Sequence, residues 1–150
     1  MGEQNSRFVV RHFPLPQHSW AQVAAEVAVC AAKQRSDAGW KISDFLFDKQ
    51  GSLSEQSIRR SVLEAVQAVD GVNVNEFQQC LDSRIGAGAV IEDVALGRLM
   101  AVEGTPTVFI NGRRVVVGNS AERLREALKV AAEEQNRGTA GTTKQRGGDE

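Results

Sequence analysis

The stretch Thr107-Val-Phe-Ile, Asn111-Gly112, Arg-Arg-Val-Val-Val117 constrains the fold more than any other part of the chain. Two β-rich runs flank the dipeptide that best tolerates positive φ at both central turn positions, so a β-hairpin is expected there. A hairpin alone is marginal in water and needs other elements to support it. Most of what the chain offers is helical. From Ser19 onward, Trp20, Val23, Ala24, Val27, Cys30 and Ala31 recur at steps of three and four, the stripe of an amphipathic helix running to about Lys33. Trp40, Ile42, Phe45, Leu46 and Phe47 predict a short helix ended by Gly51. Ser52-Leu-Ser-Glu55 has the capping-box form ahead of Ile58, Val62, Ala65, Val66 and Val69, with Asp70-Gly71 as the stop. Further helices are expected from about Asn75, with Phe77, Cys80 and Leu81 inward, and from about Ala89 through Ala101, with Ile91, Val94 and Leu99. Residues 19–101 are therefore read as mostly helical.

Ahead of this block, Arg7-Phe-Val-Val-Arg-His-Phe13 is β-branched and aromatic and stops at Pro14-Leu15-Pro16. It reads as a strand over residues 7–13. After Gly118, Asn119 or Ser120 can cap a last helix with Leu124, Ala127, Leu128 and Ala131 on one face. From about Asn136 the chain has no large apolar group to bury, so a domain over 1–135 followed by a disordered tail over 136–150 is expected. Single-domain size agrees with 150 residues, 41% of them hydrophobic.

Charge and cysteine content exclude several classes of function. The formal net charge is −1, so no strong field draws the chain toward nucleic acid or anionic lipid. No run of about 18 apolar residues is present, and no apolar stretch precedes Phe8, so the chain as written carries neither a membrane span nor a signal peptide. The only cysteines, Cys30 and Cys80, are too far apart for a C-x-x-C redox pair or a thiolate zinc cluster. Both fall on the inward stripes of predicted helices, a setting that suits two buried free thiols as well as a bridge. His12, ending a strand, and His18, preceding a helix, are read as surface or capping residues. Glu26, Glu64, Asp93 and Glu103 are read as scattered acids on solvated helix faces. The residues thus identify no catalytic group, no metal ligand and no cofactor site.

The order of elements is strand, helical block, Gly104-Thr105-Pro106-Thr107, hairpin, helix. In that setting Val102-Glu-Gly-Thr-Pro-Thr-Val-Phe-Ile-Asn-Gly112 resembles the cis-proline loop and following hairpin of DsbA-like thioredoxin-fold proteins, the thiol:disulfide interchange family. Phe8-Val-Val-Arg-His-Phe-Pro-Leu15, the alanine-rich helix ending Cys30-Ala-Ala, Trp40, Leu46-Phe47 and Phe77-Gln-Gln-Cys-Leu81 extend the resemblance over roughly residues 7–130.

The resemblance implies an α/β thioredoxin-like sheet with a helical insert at about 19–101. The family's first strand and first helix, which carry its C-x-x-C, have no counterpart here, so the chain is expected to be a truncated and inactive disulfide-exchange domain. The competing expectation is a non-catalytic peptide-binding or chaperone-like module. Gly104, Thr105 and Pro106 are implied to form a cis-proline loop against an extended or unfolded polypeptide substrate. Cys30 and Cys80 are implied to form a structural disulfide, and the family places the domain in the periplasm or another extracytoplasmic compartment. Loss of a central strand would leave an open sheet edge, with homo-oligomerisation through it as the consequence.

Overall fold

Small side chains let helix α1 (Ala21–Gln34) sit in the middle of its neighbours. Ala24, Val27, Ala28, Cys30 and Ala31 are all buried, and α1 packs against α2 (Ser36–Lys49), α3 (Ile58–Gln67), α4 (Val74–Asp82) and α5 (Ile85–Leu99). The computed structural model describes residues 7–143, which fall into two units, Val9–Glu103 and a second made of the described residues through Phe8 and from Gly104 on. The first unit contains these five helices. Its core is Ile42 and Leu46 of α2, Ile58, Val62 and Val66 of α3, and Phe77 and Leu81 of α4, closed over the apolar face of α1. Phe77, Ile58, Val62 and Val66 have no exposed surface. At about 1.5–3 kcal/mol for each fully buried large side chain, this cluster is the main source of the unit's stability.

The helix ends are set locally. Arg35 takes an extended conformation (φ −153°, ψ 134°) between α1 and α2, which breaks one helix and starts the next. Asn73 caps α4, its Oδ1 accepting from the amides of Asn75 (3.0 Å) and Glu76 (3.2 Å). The capping box expected at Ser52 and Glu55 does not form. The Ser52 hydroxyl instead donates to the Lys49 carbonyl at the end of α2, and α3 begins three residues after Glu55. Ser54 and Ser57 make the entry turn, each hydroxyl accepting from the other's amide. Helix α5 starts at Ile85 rather than near Ala89, because Arg84 at φ 53° turns the chain directly out of α4.

The strand expected over residues 7–13 is absent: residues 7–15 belong to no helix or strand. β-Propensity needs a partner ladder to be realised, and the Arg11 side chain and His12 amide bond instead to a side chain of α5, described below.

In the second unit, β1 (Val108–Ile110) and β2 (Arg113–Val115) pair antiparallel with Val108 opposite Val115 and Ile110 opposite Arg113. Asn111 (φ 49°) and Gly112 (φ 77°) make the two-residue turn with positive φ at both positions, as the sequence requires. These two strands are the whole sheet among the described residues, smaller than the sheet the sequence resemblance implied. Helix α6 (Ala121–Thr143) follows, with the Ser120 hydroxyl accepting from the Arg123 amide (3.2 Å). It continues past Asn136, where the tail was expected to start; residues 144–150 lie outside the described residues. No described helix is long and apolar enough to cross a membrane.

Candidate functional site

The loop Gly104-Thr105-Pro106 leads directly into the hairpin. The Thr105–Pro106 peptide bond is cis, and Thr105 and Pro106 are exposed. The loop is closed on itself by the Thr107 hydroxyl, which donates to the Gly104 carbonyl at 2.6 Å. A side-chain bond of this kind fixes the turn without using the main-chain groups of Thr105 and Pro106, and β1 and β2 hold its outgoing end in register. The arrangement places the exposed Thr105 and Pro106 at the entrance of the hairpin.

The two cysteines form one disulfide between α1 and α4, with an S–S distance of 2.05 Å and α-carbons 5.9 Å apart. Cys30 is fully buried beside Val27 and Ala31, and Cys80 is half-buried. Neither is a free thiol, so the alternative of two buried free thiols is excluded. The staple fixes the helical insert and leaves these 150 residues no thiol able to attack a substrate disulfide.

Two of the four scattered acids are not solvated, contrary to the sequence reading. Glu26 of α1 is buried, accepting from Gln22 Nε2 (2.9 Å) and pairing with Arg84 (3.2 Å). Asp93 of α5 is buried and accepts from Arg11 Nη1 (2.9 Å) and from the His12 amide (2.8 Å). Glu64 and Glu103 are exposed. His12 is half-buried rather than on the surface; burial pushes its imidazole below the ordinary value, with the Asp93 carboxylate pulling the other way. His18 lies with its ring centroid 5.7 Å from that of Trp20. A signal for Asp93 was present in the sequence, since Gly86, Val90, Asp93 and Gly97 fall on one stripe at steps of three and four, the spacing that marks an inward face. Glu26, between Ala25 and Val27 in a helix buried on most sides, has no such signal. No group of three or more potential metal ligands occurs among the described residues.

Comparison with known proteins agrees with this architecture. The family model described as Thioredoxin matches residues 3–130. Among curated proteins, Na(+)/H(+) antiporter NhaA 3 of Salinispora tropica is 39% identical over 126 residues, covering 83% of this chain and 18% of the relative. Na(+)/H(+) antiporter NhaA 1 of Salinispora arenicola is 38% identical over 128 residues (85% of this chain, 19% of the relative). Na(+)/H(+) antiporter NhaA of Herminiimonas arsenicoxydans is 32% identical over 125 residues (83% and 19%). The chain thus spans under a fifth of the length of these relatives. No solved structure matches it. Because the thioredoxin model matches residues 3–130, most of the chain, the chain belongs to the thioredoxin family.

Proposed function

We propose that this chain is the polypeptide-binding part of a DsbA-like thiol:disulfide interchange domain, working in an oxidising, extracytoplasmic compartment. The observation that carries the reading is the hairpin with the Gly104-Thr105-Pro106 loop at its entrance, Thr105 and Pro106 exposed, in a chain of the thioredoxin family. The Cys30–Cys80 staple supports the compartment, because such bridges persist where thiols are not kept reduced. Disulfide exchange itself needs a low-pKa thiolate and a resolving cysteine. No C-x-x-C occurs in the 150 residues, so exchange would need a redox pair from outside them.

Binding without exchange is the second reading, and the commitment of both cysteines to a staple between α1 and α4 favours it. The names of the Salinispora relatives assign Na(+)/H(+) antiport to those proteins. In a protein of that kind, the matched fifth would be a polypeptide-binding domain beside the antiporter.

The test has two arms. Added to insulin and dithiothreitol, the 150-residue chain is expected to give no faster reduction than dithiothreitol alone; turnover would sink the claim that exchange needs a further redox pair. Titration with a reduced, carboxymethylated polypeptide is expected to move the amide resonances of Gly104, Thr105 and Thr107 before those of α2 and α3. No shift at these positions at millimolar polypeptide would remove the loop as a binding site.

A further inference from the structure

Helix α5 turns large apolar side chains outward. Its buried residues are Gly86, Ala87, Val90 and Asp93, while Ile91 is 65% and Leu99 81% exposed. A single exposed leucine is ordinary on a protein surface. Here Ile91, Ala95 and Leu99 follow one another at steps of four and form a continuous ridge, about 12 Å long at 1.5 Å per residue. At about 100° per residue, all three lie roughly 120–160° around the helix axis from Asp93. The ridge therefore faces away from the Asp93 side, where Arg11 and His12 bond.

Beside this ridge runs a second at the same spacing, Val90, Val94 and Arg98. The groove between the two rows is an open cavity of about 260 Å³, lined by Val90, Ile91, Val94, Ala95, Arg98 and, from α1, Gln22. The Gln22 amide is held by donating to Glu26 at 2.9 Å, which fixes the α1 wall. A groove between two rows at steps of four is the shape into which a second helix lays a row of its own side chains. Ala95, small and at the centre of the outer ridge, lets such a helix approach closely.

Charge narrows the partner further. Arg98 is the one charged residue lining the groove, is exposed, and forms no ion pair among the described residues. Its complement is a carboxylate beside apolar side chains. A lipid surface is gripped by several cations along the flank of an apolar stripe, whereas here Glu92 stands next to Ile91 and Arg98 is alone in the groove.

We propose that this face of α5 is a docking surface for an acidic amphipathic helix of a partner protein, which lays a row of apolar side chains between the two ridges, crosses α5 at Ala95 and pairs a carboxylate with Arg98. The surface shares no residue with the Gly104-Thr105-Pro106 loop.

Two alanine-rich model helices of about 18 residues, long enough to form in water, test it. Both carry leucines at steps of four; one is flanked by glutamates, the other by lysines at the same positions. Titrated into the 150-residue chain, the glutamate helix is expected to shift the methyl resonances of Ile91, Val94 and Leu99 while those of Ile42 and Val62 in the core stay in place. It should bind about two- to fivefold more tightly than the lysine helix. Arg98→Glu should reverse that preference, and Ile91→Ser should weaken the glutamate helix about tenfold. Both positions are exposed, and unchanged Ile42 and Val62 resonances show that the variants are folded. No shift at Ile91, Val94 and Leu99 with about 1 mM glutamate helix, or a preference that Arg98→Glu leaves unreversed, would overturn the proposal. So would movement of the same three resonances on diluting the chain alone, which would make a second copy the occupant.

Discussion

Gly86 of α5 lies against the main chain of Glu26 in α1: a Cβ at position 86 would come within 2.7 Å of the Glu26 carbonyl oxygen and 3.1 Å of its Cα. The obstruction is backbone, which cannot rotate away, and α1 is anchored by the core on its other sides. Gly86→Ala should therefore destabilise the helical unit by about 1–3 kcal/mol through overpacking, outweighing the gain in helix propensity of roughly 1 kcal/mol. Gly88, in the same helix with nothing within 4 Å, is the control. Gly88→Ala should be stabilising by up to about 1 kcal/mol. Urea unfolding of the two variants decides this; a destabilised Gly88→Ala with an unaffected Gly86→Ala would invert the packing argument.

Arg84 does two jobs that can be separated. Its guanidinium pairs with buried Glu26 at 3.2 Å, and its backbone sits at φ 53°, a left-handed conformation that costs a residue with a Cβ about 1–2 kcal/mol. Arg84→Ala should lose the ion pair and keep the backbone cost. Arg84→Gly should lose the pair and gain the backbone relief, leaving it about 1 kcal/mol more stable than Arg84→Ala. Equal melting of the two variants would show that the position carries no conformational cost.

The Cys30–Cys80 bridge closes a loop with a sequence separation of 50 residues. By chain entropy it should contribute about 4 kcal/mol. Comparing urea midpoints with and without reductant, and with the Cys30→Ala/Cys80→Ala variant as a second reference, measures it. A loss under about 1 kcal/mol would mean that the packing of Phe77 and Leu81 against α1 already restrains α4 in the unfolded ensemble.

His12 gives a pH dependence whose sign follows from its environment. Desolvation lowers the folded-state imidazole below its ordinary value despite the opposing pull of Asp93. The unfolded chain then binds the proton more readily, so this contribution to stability is full above about pH 6.5 and is lost as the pH falls through the lowered folded value. Stability measured between pH 7.5 and 5.5 should decline less in His12→Gln than in the natural chain. A steeper decline in the variant would mean that the Asp93 attraction exceeds the cost of burial.

The elements most legible in the sequence were those whose cause is local. The hairpin followed from Asn111-Gly112 between two β-rich runs, because few dipeptides accept positive φ at both turn positions. The first helices followed from apolar residues at steps of three and four, and their inward faces at Val27, Ile58, Val62, Phe77 and Leu81 are the observed core. The inward face expected for α5 at Ile91, Val94 and Leu99 was not found: Ile91 and Leu99 are exposed, and Gly86, Ala87, Val90 and Asp93 are the buried residues of that helix, because only small side chains fit against α1 at Gly86. Helix ends were less legible. Ser52 and Glu55 satisfy a capping pattern, yet the Lys49 carbonyl took the Ser52 hydroxyl and the helix began later.

Residues 7–13 show where local reasoning stops. Their composition fits a strand, but a strand is defined by its partner, and here Asp93 from 81 residues away in sequence takes the His12 amide while Arg11 pairs with the same carboxylate. The sequence by itself determined that Thr107–Val117 turns back as a hairpin and that the stripes around Val27, Ile42, Val62 and Phe77 bury together, because both properties reside in neighbouring residues. Only the tertiary structure decided that Cys30 meets Cys80, that Glu26 and Asp93 are buried with arginine partners, and that Arg11 and His12 bond to Asp93 rather than to a strand ladder. Those outcomes depend on which distant groups share a low-dielectric space, and the cost of leaving a charge or an amide unpaired there outweighs the preferences of the local sequence.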